Sequence, residues 1–125
     1  MQMRPMALTL ADDQSIRDMA AYVSSMPVER TVVPTIKGDS EAGKAAYVIC
    51  QACHGSAGEG NKTLNSPKLA GLQDWYVSRQ LKNFKSGIRG TKSGDMFGMQ
   101  MLPMAMSLAN DEAINNVAAY IATFK

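Results

Sequence analysis

The sequence of 125 residues predicts one all-α domain with long loops between its helices. Three observations support this fold class. Apolar residues recur at helical spacing in four segments. No alternating run of apolar and polar residues is long enough for a confident strand. Hydrophobic residues make up 46% of the chain and charged residues 19%, which is sufficient for one packed core.

The first and last predicted helices are similar. The first follows Asp12 and Asp13 and the last follows Asn110 and Asp111, and both residue types are preferred at helix N-caps. Each start is followed by an apolar face at helical spacing. These faces are Ile16, Met19, Ala20 and Val23 in the first helix and Ile114, Val117, Ala118 and Ile121 in the last.

Two more helices are predicted in the centre of the chain. Asp39 is the expected cap of a helix that runs into Cys50 with an alanine-rich face, and a further helix fits Asp74–Lys85. Residues 55–71 and 87–103 contain glycine, proline and polar residues or methionine, and they are predicted to be loops. Ordered loops of this length need an additional source of packing.

The two ends of the chain share an internal repeat. Residues 1–26 align without a gap on residues 99–124, and 13 of the 26 pairs are identical. The offset of 98 residues matches the size of one small domain. We therefore expect residues 1–26 to be the end of an incomplete preceding domain, residues 27–38 to be a linker, and residues 39–125 to be a complete domain.

Charge and hydropathy exclude two classes of function. The net charge is +2, from 13 basic and 11 acidic residues, which is too balanced for nucleic-acid binding through bulk charge. No apolar run approaches the roughly 20 residues of a membrane-spanning helix. Met1–Leu10 lacks a positive start followed by an apolar stretch, so no secretory leader is expected within this chain.

The chemistry of the chain is indicated by Cys50-Gln51-Ala52-Cys53-His54, a C-x-x-C-H pattern typical of covalent haem c attachment. Two cysteines on one helical turn can reach both vinyl groups, and the next residue then lies beneath the iron. A structural zinc site would need four ligands, whereas these cysteines and the only histidine supply three. We therefore predict one haem c, attached to Cys50 and Cys53 and ligated by His54. Its macrocycle would give the loops an apolar interior.

A methionine is the expected distal ligand, because the chain has no second histidine. At most one methionine coordinates, and the others fill gaps around the haem or core. An open distal site, as in a gas sensor or a small-molecule redox enzyme, is the alternative if none reaches the iron. The candidates in the predicted loop before the last helix are Met96, Met99, Met101, Met104 and Met106.

Three stretches resemble class I c-type cytochromes, in particular the domains of tandem di-haem cytochromes of the c-four type. They are DSEAGKAAYVICQACHGSAGEG, SPKLAGLQDWYVSRQLKNFKSGIRG and MQMLPMAMSLANDEAINNVAAYIATF. The resemblance implies helices wrapped around one haem, with an extra N-terminal helix here. It also implies a periplasmic location after removal of a leader, and one-electron transfer rather than enzymatic turnover. Residues 1–26 would then be the methionine loop and terminal helix of a preceding cytochrome domain.

The resemblance further implies roles for single residues. Met101 would be the distal ligand, with Met104 as the alternative. Pro67 would offer its carbonyl oxygen to the free ring nitrogen of His54. Arg89 lies in a stretch whose basic residues often neutralise the haem propionates in this family.

The resemblance also implies a close crossing of the first and last helices of the domain, formed by Gly43, Tyr47 and Tyr120. One departure from the family pattern concerns the start of the last helix. Ala109 replaces the serine that usually caps it, so a neighbouring residue must supply the cap.

Partners are indicated by the uneven charge of the chain. Residues 61–92 contain seven basic residues and a single acidic one, Asp74. They are either a solvated face paired with propionates or a basic collar that steers an acidic redox partner, such as a respiratory complex. The apolar face within residues 1–26 is expected to pack on the intact domain or across a homodimer, including a domain swap. The basic residues are Lys62, Lys68, Arg79, Lys82, Lys85, Arg89 and Lys92.

Overall fold

The computed structural model describes residues 3–27 and 32–125, and these ranges contain seven helices and no strand. The predicted all-α class is confirmed. Met1, Gln2 and part of the expected linker, residues 28–31, lie outside the described residues. The helices are α1 (Met3–Ala7), α2 (Asp13–Ser25), α3 (Ser40–Tyr47), α4 (Gln51–His54), α5 (Asp74–Lys85), α6 (Met96–Met106) and α7 (Asp111–Ile121).

The hydrophobic core forms where α7 packs on α3 and α5, and α6 also packs on α5 and adds Ala105 to the core. Each large apolar side chain that is buried here contributes roughly 1.5–3 kcal/mol relative to an exposed position. The core therefore depends on the apolar faces that helical spacing predicts for α5 and α7. Its buried members include Tyr47, Val77, Leu81, Phe84, Leu108, Ile114, Val117, Ala118 and Ile121.

The crossing of α3 and α7 requires glycine at position 43. A Cβ atom there would overlap the backbone carbonyl of Asn116, so no larger residue fits without moving the helices apart. One turn further along, the rings of Tyr47 and Tyr120 meet edge to face with centroids 5.5 Å apart. The predicted close crossing is confirmed.

Side-chain caps begin the helices largely as the sequence predicts. Asp39 accepts hydrogen bonds from the Glu41 and Ala42 amides at the start of α3. Asn110 accepts one from the Ala113 amide at the start of α7, so the expected neighbour replaces the family serine as the cap. The first helix of the domain is shorter than predicted, because α3 ends at Tyr47 and a turn precedes α4.

The methionine-rich segment is a helix, and its prediction as a loop is wrong. α6 begins where the Asp95 side chain accepts a hydrogen bond from the Gly98 amide. Methionine, leucine and alanine favour helix formation, and they outweigh the unfavourable Pro103 within it. The other predicted loop, residues 55–71, contains no helix.

The repeated ends of the chain have the same local structure. Asp12 caps α2 through the Ser15 amide at 2.8 Å, just as Asn110 caps α7. A hydroxyl-to-carbonyl hydrogen bond of 2.7 Å joins Thr9 to Met6, and its counterpart at the offset of 98 residues joins Ser107 to Met104. The repeat is therefore a repeat of backbone geometry as well as sequence.

The apolar face of α2 has no helix packed on it in the described part of the chain. Neither α1 nor α2 contains a buried residue, and Ile16, Met19 and Val23 are about half exposed. The expected packing of this face on the intact domain is not found among the described residues. The physical reason is that α7 already covers the matching surface of α3 and α5. None of the described helices is both long and apolar enough to span a membrane.

A buried carboxylate fastens the end of the linker to the domain. Asp74 is fully buried at the start of α5 and accepts hydrogen bonds from the Thr35 amide and hydroxyl, the Ile36 amide and the Trp75 amide, at 2.6–2.8 Å. Burial alone would raise the pKa of Asp74, but these hydrogen bonds outweigh it and hold the pKa below the ordinary value of 3.8. The ionised carboxylate therefore stabilises the folded state.

Replacing this carboxylate is expected to destabilise the protein in a pH-dependent manner. Asp74→Asn should lower the free energy of unfolding by about 1–3 kcal/mol at neutral pH, because an amide cannot accept all four bonds. The folded-state pKa is lowered, so the stabilisation is present above pH 3.8 and is lost as the pH falls further. Denaturant unfolding should therefore show the wild type and the variant converging in acid.

Asp111→Asn is the matched control, since Asp111 is exposed and pairs only with Lys82 at 2.7 Å. It should change the free energy of unfolding by less than about 1 kcal/mol. Equal losses in the two variants, or a loss for Asp74→Asn that does not change with pH, would contradict the assigned role of Asp74.

Candidate functional site

The C-x-x-C-H segment forms a tight helical turn. Cys50 precedes α4, Cys53 and His54 end it, and the His54 amide donates to the Cys50 carbonyl at 3.0 Å. Both thiols are free; that of Cys50 is partly buried and that of Cys53 is exposed. Burial, with a smaller effect of Cys53, raises the pKa of Cys50 to about 11. The turn presents two sulfur atoms and one imidazole at the same cavity.

The imidazole of His54 is held by its neighbours. Its Nδ1 lies 2.9 Å from the carbonyl oxygen of Pro67. A carbonyl only accepts, so Nδ1 donates to it, and Nε2 is the ring nitrogen left to ligate a metal. The backbone carbonyl of His54 also accepts a hydrogen bond from Gly60 at 2.8 Å. Pro67 therefore lies where the resemblance places it.

Tyr47 contacts the C-x-x-C-H turn from within the core. Its ring is buried in the core, and its hydroxyl donates to the Gly55 carbonyl at 2.8 Å. Burial raises the pKa of this phenol, so the hydroxyl stays protonated and can only donate to the carbonyl. The edge-to-face rings of Tyr120 and Phe124 surround the same side chain. The helix crossing and the C-x-x-C-H turn are thus joined through one residue.

The loop that carries Pro67 is ordered by its own backbone. The Gly58 carbonyl accepts hydrogen bonds from the Leu69 and Ala70 amides, at 2.7 and 3.0 Å. Asn61 and Ser66 form an isolated antiparallel bridge at the tip. These hydrogen bonds order the loop independently of the contact between Pro67 and the imidazole.

A cavity of about 550 Å³ lies beside the imidazole of His54. Its volume is in the range of roughly 300–1,000 Å³ that is typical of cofactor sites. The walls come from α4, the Pro67 loop, α5, α6 and α7, and they are mainly apolar. All six predicted site residues border it: Cys50, Cys53, His54, Pro67, Arg89 and Met101. An apolar cavity with two thiols and one imidazole at its edge fits a covalently attached haem.

Two of the five candidate methionines border this cavity in the described part of the chain, Met101 and Met104. Met101 is partly buried and packs against the core. Met104 is 39% exposed. The remaining three methionines are more than half exposed and do not line the cavity walls: Met96, Met99 and Met106.

The basic segment divides into structural and cavity-facing residues. Lys82 pairs with Asp111 at 2.7 Å, and the Lys85 ammonium donates to the Leu108 carbonyl, so these two hold α5 against the start of α7. Lys68 and Arg89 border the cavity instead. Arg89 donates to the Gln80 side chain at 2.8 Å and lies over the Phe84 ring.

Several wall residues were not identified from the sequence. Lys68 belongs to the basic segment and directly follows Pro67, and this position in the sequence could have identified it as a wall residue. Asp95 and Gln100 have no comparable sequence signal, because only the folding of α6 brings them to the cavity. The apolar walls that were also missed are Ile49, Leu64, Leu69, Leu72, Tyr76 and Phe97.

Comparison with known proteins gives consistent matches. The family model described as "Cytochrome c" matches residues 40–125. Cytochrome c4 of Azotobacter vinelandii is 34% identical in an alignment of 119 positions, which covers 87% of this chain and 53% of that protein. Cytochrome c-554(548) of Halomonas halodenitrificans is 37% identical over 83 residues, which are 66% of this chain and 93% of that protein.

A solved structure is also similar, the crystal structure of reduced recombinant cytochrome c4 from Pseudomonas stutzeri. It has a TM-score of 0.56 and 33% sequence identity, over 71% of this chain and 47% of that chain. This likeness confirms the predicted fold. The chain spans about half the length of the cytochrome c4 relatives that it matches.

Proposed function

Because this chain belongs to the cytochrome c family, with homology to the di-haem cytochromes c4, we propose that it carries single electrons through a haem ligated by His54 and Met101. Covalent binding of haem c is a property of the family, and Cys50 and Cys53 provide the attachment spacing. When bound, the haem supplies an iron that alternates between two oxidation states. We assign no enzymatic step to the chain.

The observation that carries this proposal is that all six predicted site residues border one cavity. The hydrogen bond from His54 to Pro67 fixes the ring orientation, so the imidazole need not reorganise when an electron arrives or leaves. A thioether ligand from Met101 would favour the reduced state and raise the reduction potential. The apolar walls limit the access of water to the same region.

Lys68 and Arg89 supply the positive charge at this cavity. They are well placed to offset the two propionates that a haem c carries. Arg89 is held by Gln80 and by the face of Phe84, so its guanidinium is already oriented. This organisation limits the entropy that the side chain loses when it pairs with an anion.

His/Met ligation is expected to be visible in the spectrum of the purified protein. The oxidised form should show a sulfur-to-iron charge-transfer band, and the reduced form should not bind CO readily. Intact mass should show one haem per chain. A missing band with ready CO binding would contradict the proposal and would favour the open-site alternative, a gas sensor or small-molecule redox enzyme. Bare polypeptide mass after correct maturation would exclude haem attachment.

We further propose an acidic docking surface on the redox partner, such as a quinol-oxidising complex or a haem–copper oxidase. Lys82 and Lys85 are engaged within the fold, so the steering charge would come from the other basic residues of residues 61–92. Lys62 and Lys92 are exposed members of this group. Long-range attraction of this kind raises the rate of encounter rather than the strength of the complex.

The rate of electron transfer to an acidic partner is expected to fall as ionic strength rises, because salt screens charges beyond a Debye length of about 10 Å at 0.1 M. Lys92→Glu should lower this rate at low salt and weaken its salt dependence. Lys44→Glu, a charge change on α3 outside the basic segment, is the matched control. A rate that does not vary with salt, or equal effects of the two variants, would exclude steering and show that the basic residues are only a solvated surface.

Residues 1–26 have a separate proposed role. The local structure of residues 3–26 repeats that of α6 and α7, so we propose that residues 1–26 are the methionine segment and last helix of an incomplete preceding cytochrome domain. The exposed face of Ile16, Met19 and Val23 would pair with the same face of a second copy of this chain. Burying such apolar area stabilises association by roughly 25 cal/mol per Å² before entropic costs. The chain is proposed to act in the periplasm.

Sedimentation equilibrium tests this pairing. The wild type is expected to form dimers at micromolar concentration, and Ile16→Glu should be monomeric because it places a charge in the buried stripe. Gln14→Glu, on the polar side of α2, should retain the dimer and thereby control for added charge. A monomeric wild type would exclude the homodimer, and proteolytic loss of residues 1–26 from that monomer would show that the segment is unpartnered.

A further inference from the structure

α6 brings two thioether side chains to the same cavity. Met101 and Met104 are three residues apart on this helix, so they lie on one face, about 4.5 Å apart along the axis. Both border the cavity that His54 also borders. Met99, on the same helix, is 54% exposed and does not line the cavity walls. The cavity therefore has two potential sulfur donors where a single distal ligand is needed.

The helix is weakest between these two methionines. Pro103 lies between them and has no amide hydrogen, so it cannot make the usual bond to the carbonyl of Met99. The ends of the segment are held, in contrast. Asp95 caps the N-terminus of α6 through the Gly98 amide, and the Lys85 ammonium holds the Leu108 carbonyl just past its C-terminus.

The methionine side chains, rather than the helix as a whole, are free to move. α6 packs on α5, and Ala105, the residue after Met104, is fully buried in the core, so the backbone of this turn is held. Met101 and Met104 have long, unbranched side chains, so their sulfur atoms can change position by rotation of the side chain alone. Both side chains are neutral thioethers, so the exchange changes neither charge nor protonation.

The same arrangement occurs twice in the chain. Met101-Leu102-Pro103-Met104 has its counterpart in Met3-Arg4-Pro5-Met6 at the offset of 98 residues. Both methionines and the proline between them are identical in the two copies, whereas the residue at the second position differs. The repeat therefore preserves the pair of thioethers together with the helix-weakening residue.

We infer that Met104 is a second distal ligand, which can take over the iron when the Met101 thioether does not reach it. This inference rests on the proposed function, because it presupposes a distal thioether ligand. With a haem bound, Met104 would supply the same neutral thioether donor as Met101, so replacing one by the other would require no electron and no proton. Met104 is partly exposed, so its side chain has the freedom to reorient that a close-packed residue lacks.

The competing explanation is that Met104 only fills space at the edge of the cavity, as methionines often do. Leucine substitutions distinguish the two explanations, since leucine preserves volume and apolarity but removes the sulfur donor. The informative set consists of Met101→Leu, Met104→Leu and the double variant. Met99→Leu is the matched control on the same helix, because its side chain does not line the cavity walls.

The measurements are the sulfur-to-iron charge-transfer band and the binding of cyanide to the oxidised, haem-loaded full chain. Met101→Leu is expected to keep a shifted band and to bind cyanide at least about tenfold more weakly than the double variant, since a thioether that occupies nine-tenths of the sites reduces the apparent affinity by that factor. The double variant should lose the band. Met104→Leu and Met99→Leu should both resemble the wild type.

Two results would overturn the inference. One is loss of the band in Met101→Leu together with cyanide binding equal to that of the double variant, which would make Met101 the sole donor. The other is loss of the band in Met104→Leu alone, which would make Met104 the sole ligand. Failure of the proposed function is distinguishable from both, because the wild type itself would then lack the band. Covalent haem content and far-ultraviolet circular dichroism verify that each variant is folded.

Discussion

The hydrogen bond between His54 and the Pro67 carbonyl is the interaction on which the rest of the site depends. At 2.9 Å it joins the imidazole to the loop that carries Pro67, which also bonds to the turn through the Gly60 amide and the His54 carbonyl. It makes Nδ1 the hydrogen-bond donor and leaves Nε2 as the ring nitrogen available to a metal. One contact therefore sets the orientation of the ring at the cavity.

The crossing of α3 and α7 also supports the position of His54. The absence of a side chain at Gly43 lets α3 and α7 approach closely, and the approach places Tyr47 in the core beneath the turn. The Tyr47 hydroxyl then holds Gly55, the residue after the histidine. A helix crossing that looks purely structural thus contributes to the geometry of the ligand. In electron transfer such rigidity is useful, because each rearrangement on changing oxidation state would slow the reaction.

Some charged side chains of residues 61–92 hold parts of the fold together, and others border the cavity or solvent. Lys82 and Lys85 close the junction between α5 and the start of α7, although the sequence places them in the same basic segment as Lys68 and Arg89. At the other end of α5, Asp74 is the acidic exception in that segment, and it is buried and holds the linker. Counting charges along the sequence overstates the charge that is free for docking. The proposed steering of a partner would therefore rely on the basic residues that the fold does not engage.

The sequence by itself determined the chemistry and most of the helices. The spacing of the two cysteines and the histidine in Cys50–His54 and the apolar periodicity of α5 and α7 are local properties that folding does not alter. Only the tertiary structure decided that the Met96–Met106 segment is helical, and which of its sulfur atoms face the cavity. It also decided that α2 is left unpaired although its sequence matches α7. The physical reason is that these outcomes depend on surfaces brought together from distant parts of the chain. Packing on α5 adds to the helix propensity of the methionine, leucine and alanine residues of α6, and α7 occupies the surface that α2 would need.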